Sequence, residues 1–254
     1  MHILLISVLI FVLTLGAGLI GLQAHKRMPP EQQTDSARGV VGQVAGLVSL
    51  LLALVLGMLI GTSFAFFSGQ KTELESLSAQ LLLLDDALAQ YGPETQPARD
   101  KLKTAAVHSY ETFWGGGEAD PKALSVAAPL AAGKSMKAFL ATLEPKTDAQ
   151  KQALAAASSY AGQMQQSRLM MSLQVASHPV GIGLVVILTI WAIILFFGFG
   201  IFAQSNRLIV SALVFGALCV AFAVFLVLEL GLPYTGMFRV SPASLQEAIA
   251  NIDQ

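Results

Sequence analysis

Two long apolar stretches without any charged side chain constrain this chain more than any other feature. No Asp, Glu, Lys or Arg occurs between Arg38 and Lys71, or from Ile182 to Asn206. A helix needs about 20 mainly apolar residues to cross the roughly 30 Å hydrocarbon core of a bilayer. Four segments are long and apolar enough, namely residues 3–22, 41–67, 180–203 and 208–232. The sequence therefore predicts an integral, multi-pass membrane protein.

The composition agrees with a chain that spends much of its length in lipid. Charged residues make up 12% of the sequence and hydrophobic residues 54%, whereas a soluble domain carries about 25% charge. The net charge of −1 argues against a nucleic-acid partner, which would need a basic surface. The lipid bilayer is the expected partner, and the single Cys219 excludes an intrachain disulfide.

A polar segment separates the two pairs of spans. It starts near Ser68-Gly69 and ends near His178-Pro179, where proline disfavours helical geometry for the residue before it. We predict an all-α membrane protein with four transmembrane helices arranged 2+2 around a helical extramembrane insert. The predicted domains are 1–68 (helices 1 and 2 with a short basic loop), 69–178 (the insert), 179–233 (a hairpin of helices 3 and 4) and 234–254 (a short C-terminal tail).

The insert begins with large apolar residues at alternating steps of three and four. These are Leu74, Leu77, Leu81, Leu84, Leu88 and Tyr91. Such spacing is typical of a heptad seam on a helix. The seam packs either against other insert helices or against a separate coiled-coil partner, and the pattern leaves both open.

Capping residues and breakers predict the remaining helices. Gly92-Pro93 ends the heptad helix, and a second helix is expected from Thr95 to Trp114. Asp120-Pro121 predicts a helix start, because Asp caps N-termini and proline suits the first turn. Capping boxes are expected where a hydroxyl residue precedes Glu or Gln by three, at Thr147 with Gln150 and at Ser244 with Glu247.

The second span carries a stripe of small residues. Its members are Gly42, Gly46, Ser49, Ala53, Gly57 and Gly61, preceded by Gly39. At 3.6 residues per turn they stay on one side of the helix. Small residues allow two backbones to approach closely, which favours helix association in lipid. We expect this stripe to pack against another helix, in the same chain or in a second subunit.

Bulky residues spaced by four follow the edge of this stripe: Leu56, Ile60 and Phe64. One interpretation is ordinary packing against lipid or a neighbouring helix. The other is a pore neck, because rings of apolar side chains around an axis can gate a channel by dewetting. Both interpretations stay open at this point.

The chain lacks the usual signatures of catalysis. It contains no H-E-x-x-H, Walker or G-x-S-x-G motif and no cysteine cluster, so we predict no enzyme, no catalytic residues, no cofactor and no metal site. Asp85 and Asp86 are adjacent on a helix and are interpreted as a solvated face. Glu229 is the only ionisable residue within the fourth span. We expect it near water at the membrane interface, or at a pore mouth or interface with Arg168 or Arg239 as partner.

Several segments are similar to the bestrophin-like family of bacterial membrane proteins. They are Leu-Gly-Met-Leu-Ile-Gly-Thr-Ser-Phe at 56–64, Leu-Asp-Asp-Ala-Leu-Ala-Gln-Tyr-Gly-Pro at 84–93, Ala-Arg-Asp-Lys-Leu at 98–102 and Leu-Glu-Leu-Gly-Leu-Pro-Tyr-Thr-Gly-Met-Phe-Arg-Val-Ser at 228–241. The resemblance covers most of the chain from about residue 40. More distantly, the order of spans resembles that of true bestrophins, which are homopentameric anion channels with an apolar neck on the second membrane helix.

This resemblance implies that Leu56, Ile60 and Phe64 match the neck. It also implies termini and an insert in the cytoplasm. The count of basic residues disagrees, because Lys26, Arg27, Arg38 and Arg207 lie in the opposite loops and basic loops favour the cytoplasmic side.

Two functions follow as hypotheses. The first is a homo-oligomeric ion channel, possibly anion-conducting, in the bacterial inner membrane. The alternative is a membrane-anchored scaffold or sensor that acts through its insert.

Overall fold

The computed structural model describes residues 2–27, 35–115, 127–176, 181–203 and 206–252. Within these ranges the chain is helical and contains no strand. The helices are α1 (His2–Arg27), α2 (Asp35–Tyr91), α3 (Gln96–Trp114), α4 (Ala127–Leu140), α5 (Asp148–Ala176), α6 (Ile182–Phe202), α7 (Arg207–Leu230) and α8 (Ala243–Asn251). A short 3₁₀ turn at Pro93–Thr95 precedes α3. The all-α prediction is confirmed.

Four of these helices are long and apolar enough to cross a membrane. They are α1, α2, α6 and α7, so the four predicted spans are confirmed by length and composition. The helix break expected at Ser68-Gly69 is absent, because α2 continues without interruption to Tyr91. A single glycine costs a helix only about 1 kcal/mol, and no proline follows it before Pro93.

Backbone contacts divide the chain into two compact units. The first consists of Met1–Ala65 and Pro179–Gly231, and the second of Phe66–His178 and Leu232–Gln254. Helix α2 contributes residues to both. The C-terminal segment with α8 belongs to the second unit.

In the first unit, α1 packs against both α6 and α7. The approach to α6 depends on glycines: a Cβ at Gly21 would overlap the carbonyl oxygen of Phe197, and one at Gly200 would overlap that of Gly18. Helices α6 and α7, predicted to form a hairpin, make few contacts with each other. Both rest on α1 instead, because α1 offers the glycines that allow close packing.

In the second unit, the heptad residues form the core. All six, from Leu74 to Tyr91, are buried, and five of them join residues of α3, α5 and α8 in one apolar cluster. The seam therefore packs within the unit. This is the intramolecular alternative of the two that the spacing left open.

Helix ends in the second unit follow the predicted caps in part. The Thr147 hydroxyl accepts a hydrogen bond from the Gln150 amide at 3.2 Å, and the Gln150 side chain accepts one from Lys146 N at 2.8 Å, so this cap is confirmed. The predicted Ser244 cap is wrong, since α8 starts at Ala243 after Pro242 with no side-chain cap. The predicted start at Asp120-Pro121 lies outside the described residues.

Candidate functional site

The small-residue stripe of α2 is uncovered in this subunit. Gly42, Gly46, Ala53, Gly57 and Gly61 are exposed and Ser49 is partly buried. A Cβ built at any of the four glycines would meet nothing within 4 Å, the adjacent backbone of α2 aside. No helix of the described chain therefore packs closely on these four glycines. A helix packed closely on these glycines stays a prediction.

The three predicted neck residues differ in their surroundings. Leu56 is 8% exposed and packs in an apolar cluster with Leu188 and Leu195 of α6. Ile60 is partly buried, whereas Phe64 is 60% exposed. Only Ile60 and Phe64 therefore keep surface for contacts outside the subunit, and the neck itself stays a prediction.

An apolar cavity adjoins the stripe within the first unit. It has a volume of about 290 Å³. Ser49, Ala53 and Leu56 of α2 line it together with Phe199 of α6 and Cys219 of α7. Because its lining is almost entirely apolar, the cavity suits a hydrocarbon chain or an apolar side chain.

One polar group beside the predicted neck was missed by the sequence analysis. Ser63 is fully buried, and its hydroxyl has no hydrogen-bond partner among the described residues. By contrast, the neighbouring Thr62 hydroxyl donates to the carbonyl of Met58 at 2.9 Å. A buried hydroxyl without a partner costs about 1–3 kcal/mol. Nothing in the spacing of serines along α2 distinguishes Ser63 from Ser49, so only burial identifies it.

The charged residues predicted near the membrane surface fall in different units. Glu229 is buried in the last turn of α7 and has an interaction partner, while its expected place at the membrane interface or a pore mouth stays a prediction. Arg168 is partly buried on α5. Arg239 is exposed, and its Nε donates to the carbonyl of Gly236 at 3.2 Å. Both arginines belong to the second unit.

A buried polar chain crosses the second unit. The Tyr234 hydroxyl donates to Gln70 Oε1 at 3.0 Å, and Gln70 Nε2 donates to Gln174 Oε1 at 2.7 Å. The rings of Phe113 and Trp114 pack on Tyr234. Burial, with a smaller contribution from Glu73, raises the pKa of Tyr234. The phenol therefore stays a neutral hydrogen-bond donor and fixes the segment after α7 to α2.

Asp85 and Asp86 have separate roles. Arg99 Nε donates to Asp85 Oδ1 and Arg99 Nη2 to Asp85 Oδ2, each at 2.8 Å. The Asp85 side chain is 7% exposed and the Arg99 side chain 14%. Asp86 is exposed and accepts a bond from Gln90 Nε2 at 2.8 Å. The solvated-face interpretation is thus wrong for Asp85, because the sequence could not show that α3 turns back onto α2.

The turn between α2 and α3 brings Asp85 and Arg99 together. Gly92 has φ = 134°, a backbone conformation that glycine adopts without the strain of a side chain. The Thr95 hydroxyl donates to the carbonyl of Gly92 at 2.7 Å, and Gln150 Nε2 donates to that of Tyr91 at 3.1 Å. The two segments 84–93 and 98–102 that resemble a known family therefore form one structural turn closed by an ion pair.

No group of three or more His, Cys, Asp or Glu side chains is placed to hold a metal ion within the described part of the chain. Among the described charged side chains of the second unit, the Asp85–Arg99 pair is largely buried and Arg168 is partly buried. They lie on helices that enclose the apolar core.

Comparison with known proteins gives one clear result. A family model of the bestrophin-like domain matches residues 12–245. No curated protein matches the chain. No solved structure matches it either. The matched region includes the four apolar helices α1, α2, α6 and α7. The chain is an integral membrane protein, and it belongs to the bestrophin-like family.

Proposed function

We propose that this protein is a homo-oligomeric ion channel of the bacterial inner membrane, conducting anions along a pore bordered by α2. The resemblance to bestrophins supports the choice of a channel and of anions as the conducted species. The observation that carries the proposal is the uncovered stripe of α2, with its glycines from Gly42 to Gly61 open and Phe64 exposed beside them. In this proposal a second copy of the chain occupies the face.

The neck in this proposal acts by excluding water. Ile60 and Phe64 lie one helical turn apart, so each forms a ring when several copies surround an axis. A narrow apolar ring disfavours a continuous water column, and ions cannot pass without water or substitute ligands. Opening requires a wider ring. Leu56 contributes less in this arrangement, because its side chain is already packed against α6.

The test is conduction by the purified protein in planar bilayers. We expect a chloride current, with a reversal potential that follows an imposed chloride gradient. The double substitution Ile60→Ala and Phe64→Ala removes most of the apolar bulk from the neck, so it should raise the current or the basal leak. Particle images of the protein in nanodiscs should show a ring with α2 innermost.

Met58→Ala is the matched control for the neck. Met58 is a large exposed residue of the same helix. It points away from Ile60, because two residues turn an α-helix by about 200°. The control should conduct like the unaltered protein. A silent bilayer across voltages and salts, or a twofold particle without a central path, would refute the channel.

The alternative, a scaffold or sensor acting through the insert, loses its expected docking surface. Its basis was the heptad seam, and those leucines are buried in the core of the second unit. Substitutions such as Leu77→Asp would unfold the insert whether or not a partner exists. A scaffold would have to use another surface, and none of the described contacts favours one.

A further inference from the structure

A second cavity, remote from the α2 stripe in sequence, lies within the second unit between α3, α4 and α5. Its volume is about 260 Å³. The floor is apolar and includes Leu102 and Met164, which are buried. Met136 and Phe139 of α4 form part of the wall. Small-molecule sites usually enclose about 300–1,000 Å³, so this cavity is sized for a small ligand with an apolar body.

Two cationic side chains line the same cavity. Lys101 of α3 is exposed and Arg168 of α5 is partly buried. None of the described lining residues is acidic. Neither cation forms a hydrogen bond or ion pair with any residue that the structure describes. The cavity is therefore apolar at its floor and positively charged at its wall.

Arg168 is the informative residue of the pair. Burial lowers its pKa, yet a guanidinium keeps its proton in proteins. A charged group that is partly removed from water and gains no counter-ion is costly. An anion in the cavity would relieve this cost, and the planar guanidinium is suited to a carboxylate, which it binds through two parallel hydrogen bonds.

The polar amide of Gln165 adds to this wall. Helix α4 passes so close that a Cβ at Gly133 would lie 2.7 Å from Gln165 Nε2. Gln165 and Gly133 both line the cavity, so the amide is confined beside it. An amide can donate to an anion's oxygen, whereas the apolar floor can hold a hydrocarbon chain.

We propose that this cavity binds a single-chain anionic amphiphile, a carboxylate with a medium-length alkyl tail. The carboxylate pairs with Arg168, with Lys101 and Gln165 as further donors, and the tail lies on Leu102, Met164 and Phe139. The volume favours one short chain over a two-chain phospholipid. The apolar floor favours an amphiphile over a free inorganic anion. The residues of this site are not those of the proposed pore, and the proposal does not depend on conduction.

The test is titration of octanoate into the full-length protein in nanodiscs, with empty nanodiscs as the blank for partition into lipid. Octanamide has the same tail with a neutral head, and inorganic phosphate is an anion without a tail. We expect saturable binding of octanoate and at least about tenfold weaker binding of octanamide, as for the loss of a charged hydrogen bond. Phosphate should bind weakly or not at all.

Variants locate the site. Arg168→Met should weaken octanoate binding at least about tenfold, whereas Arg168→Lys should keep part of it. Lys137→Met is the matched control, because Lys137 is exposed on α4 outside the cavity lining. The affinity of this variant for octanoate should be unchanged. Equal binding of octanoate and octanamide, or equal losses in Arg168→Met and Lys137→Met, would overturn the proposal. If Arg168→Met does not fold, the octanoate–octanamide comparison and the Arg168→Lys variant still test whether a carboxylate binds at Arg168.

Discussion

The two parts of helix α2 differ in how much of their apolar surface is buried. Residues 66–91 belong to the second unit, and their leucine seam faces its core. Residues 39–65 belong to the first unit and leave most of their large apolar side chains exposed. The exposed ones are Val40, Val44, Leu47, Leu50, Leu51, Leu54, Met58 and Phe64.

This difference is expected if residues 39–65 lie in lipid and residues 66–91 in water. In water, burial of an apolar face against its own chain lowers the free energy of the folded state. In a bilayer, lipid tails are as apolar as leucine, so exposure of leucine costs little and association depends on close packing of small residues. One continuous helix therefore carries a leucine seam suited to packing in water and a glycine stripe of the kind that favours packing in lipid.

The sharpest test of this contrast is a core truncation in the second unit. Leu84 is 0% exposed and its neighbour Leu83 is 44% exposed. Leu84→Ala should lower the free energy of unfolding by about 3–5 kcal/mol, in the upper part of the range for buried leucines. Leu83→Ala should change it little. Guanidinium denaturation of the detergent-solubilised protein, followed by helical circular dichroism, measures both, and equal effects would contradict a seam packed within the unit.

A smaller effect is expected from the ion pair that closes the turn after α2. Asp85→Asn leaves the Arg99 guanidinium without its carboxylate. Breaking a fully buried pair costs about 3–5 kcal/mol. Because Arg99 keeps 14% of its surface in solvent, we expect about 2–3 kcal/mol.

Asp86→Asn is the control for this measurement, since Asp86 is exposed and bonded only locally to Gln90. Both variants are compared by the same denaturation experiment. If Asp85→Asn were as stable as Asp86→Asn, the pair would not hold α3 against α2.

The smallest effect separates two kinds of glycine in the first unit. Gly200→Ala places a Cβ against the backbone of α1, and overpacking costs about 1–3 kcal/mol. Gly46→Ala meets nothing within 4 Å, so the subunit should tolerate it. Thermal midpoints in detergent compare the two. A loss of oligomer in Gly46→Ala, with an unchanged subunit, would indicate that the stripe packs between copies; equal destabilisation would contradict the open stripe.

The sequence predicted much of the second unit because its signals are local. The heptad spacing identified six residues that prove to be buried, and the Thr147 cap is a contact over three residues. Two predictions from the sequence were wrong, namely a helix break at Gly69 and a solvated Asp85. A glycine's effect on a helix depends on what the flanking turns gain from packing, and the environment of Asp85 depends on a turn that brings α3 back to it.

The same limit applies to the candidate sites. The glycine stripe of α2 is visible in the sequence, yet glycines that pack closely against neighbouring helices of the first unit include Gly18, Gly21 and Gly200. Their spacing does not predict this close packing, because the approach of two helices depends on the partner helix as well. The cavity around Arg168 had no sequence signal, since its lining comes from three helices.

By itself, the sequence determined the membrane class, the helical fold, four apolar spans and the resemblance to the bestrophin-like family. These follow from composition, periodicity and short motifs, which depend on near neighbours in the chain. Only the tertiary structure decided which apolar faces are covered, which charges are paired, and that the glycine stripe is open while the leucine seam is closed. Burial and pairing are set by residues distant in sequence, and the energy of each contact exists only once those residues meet.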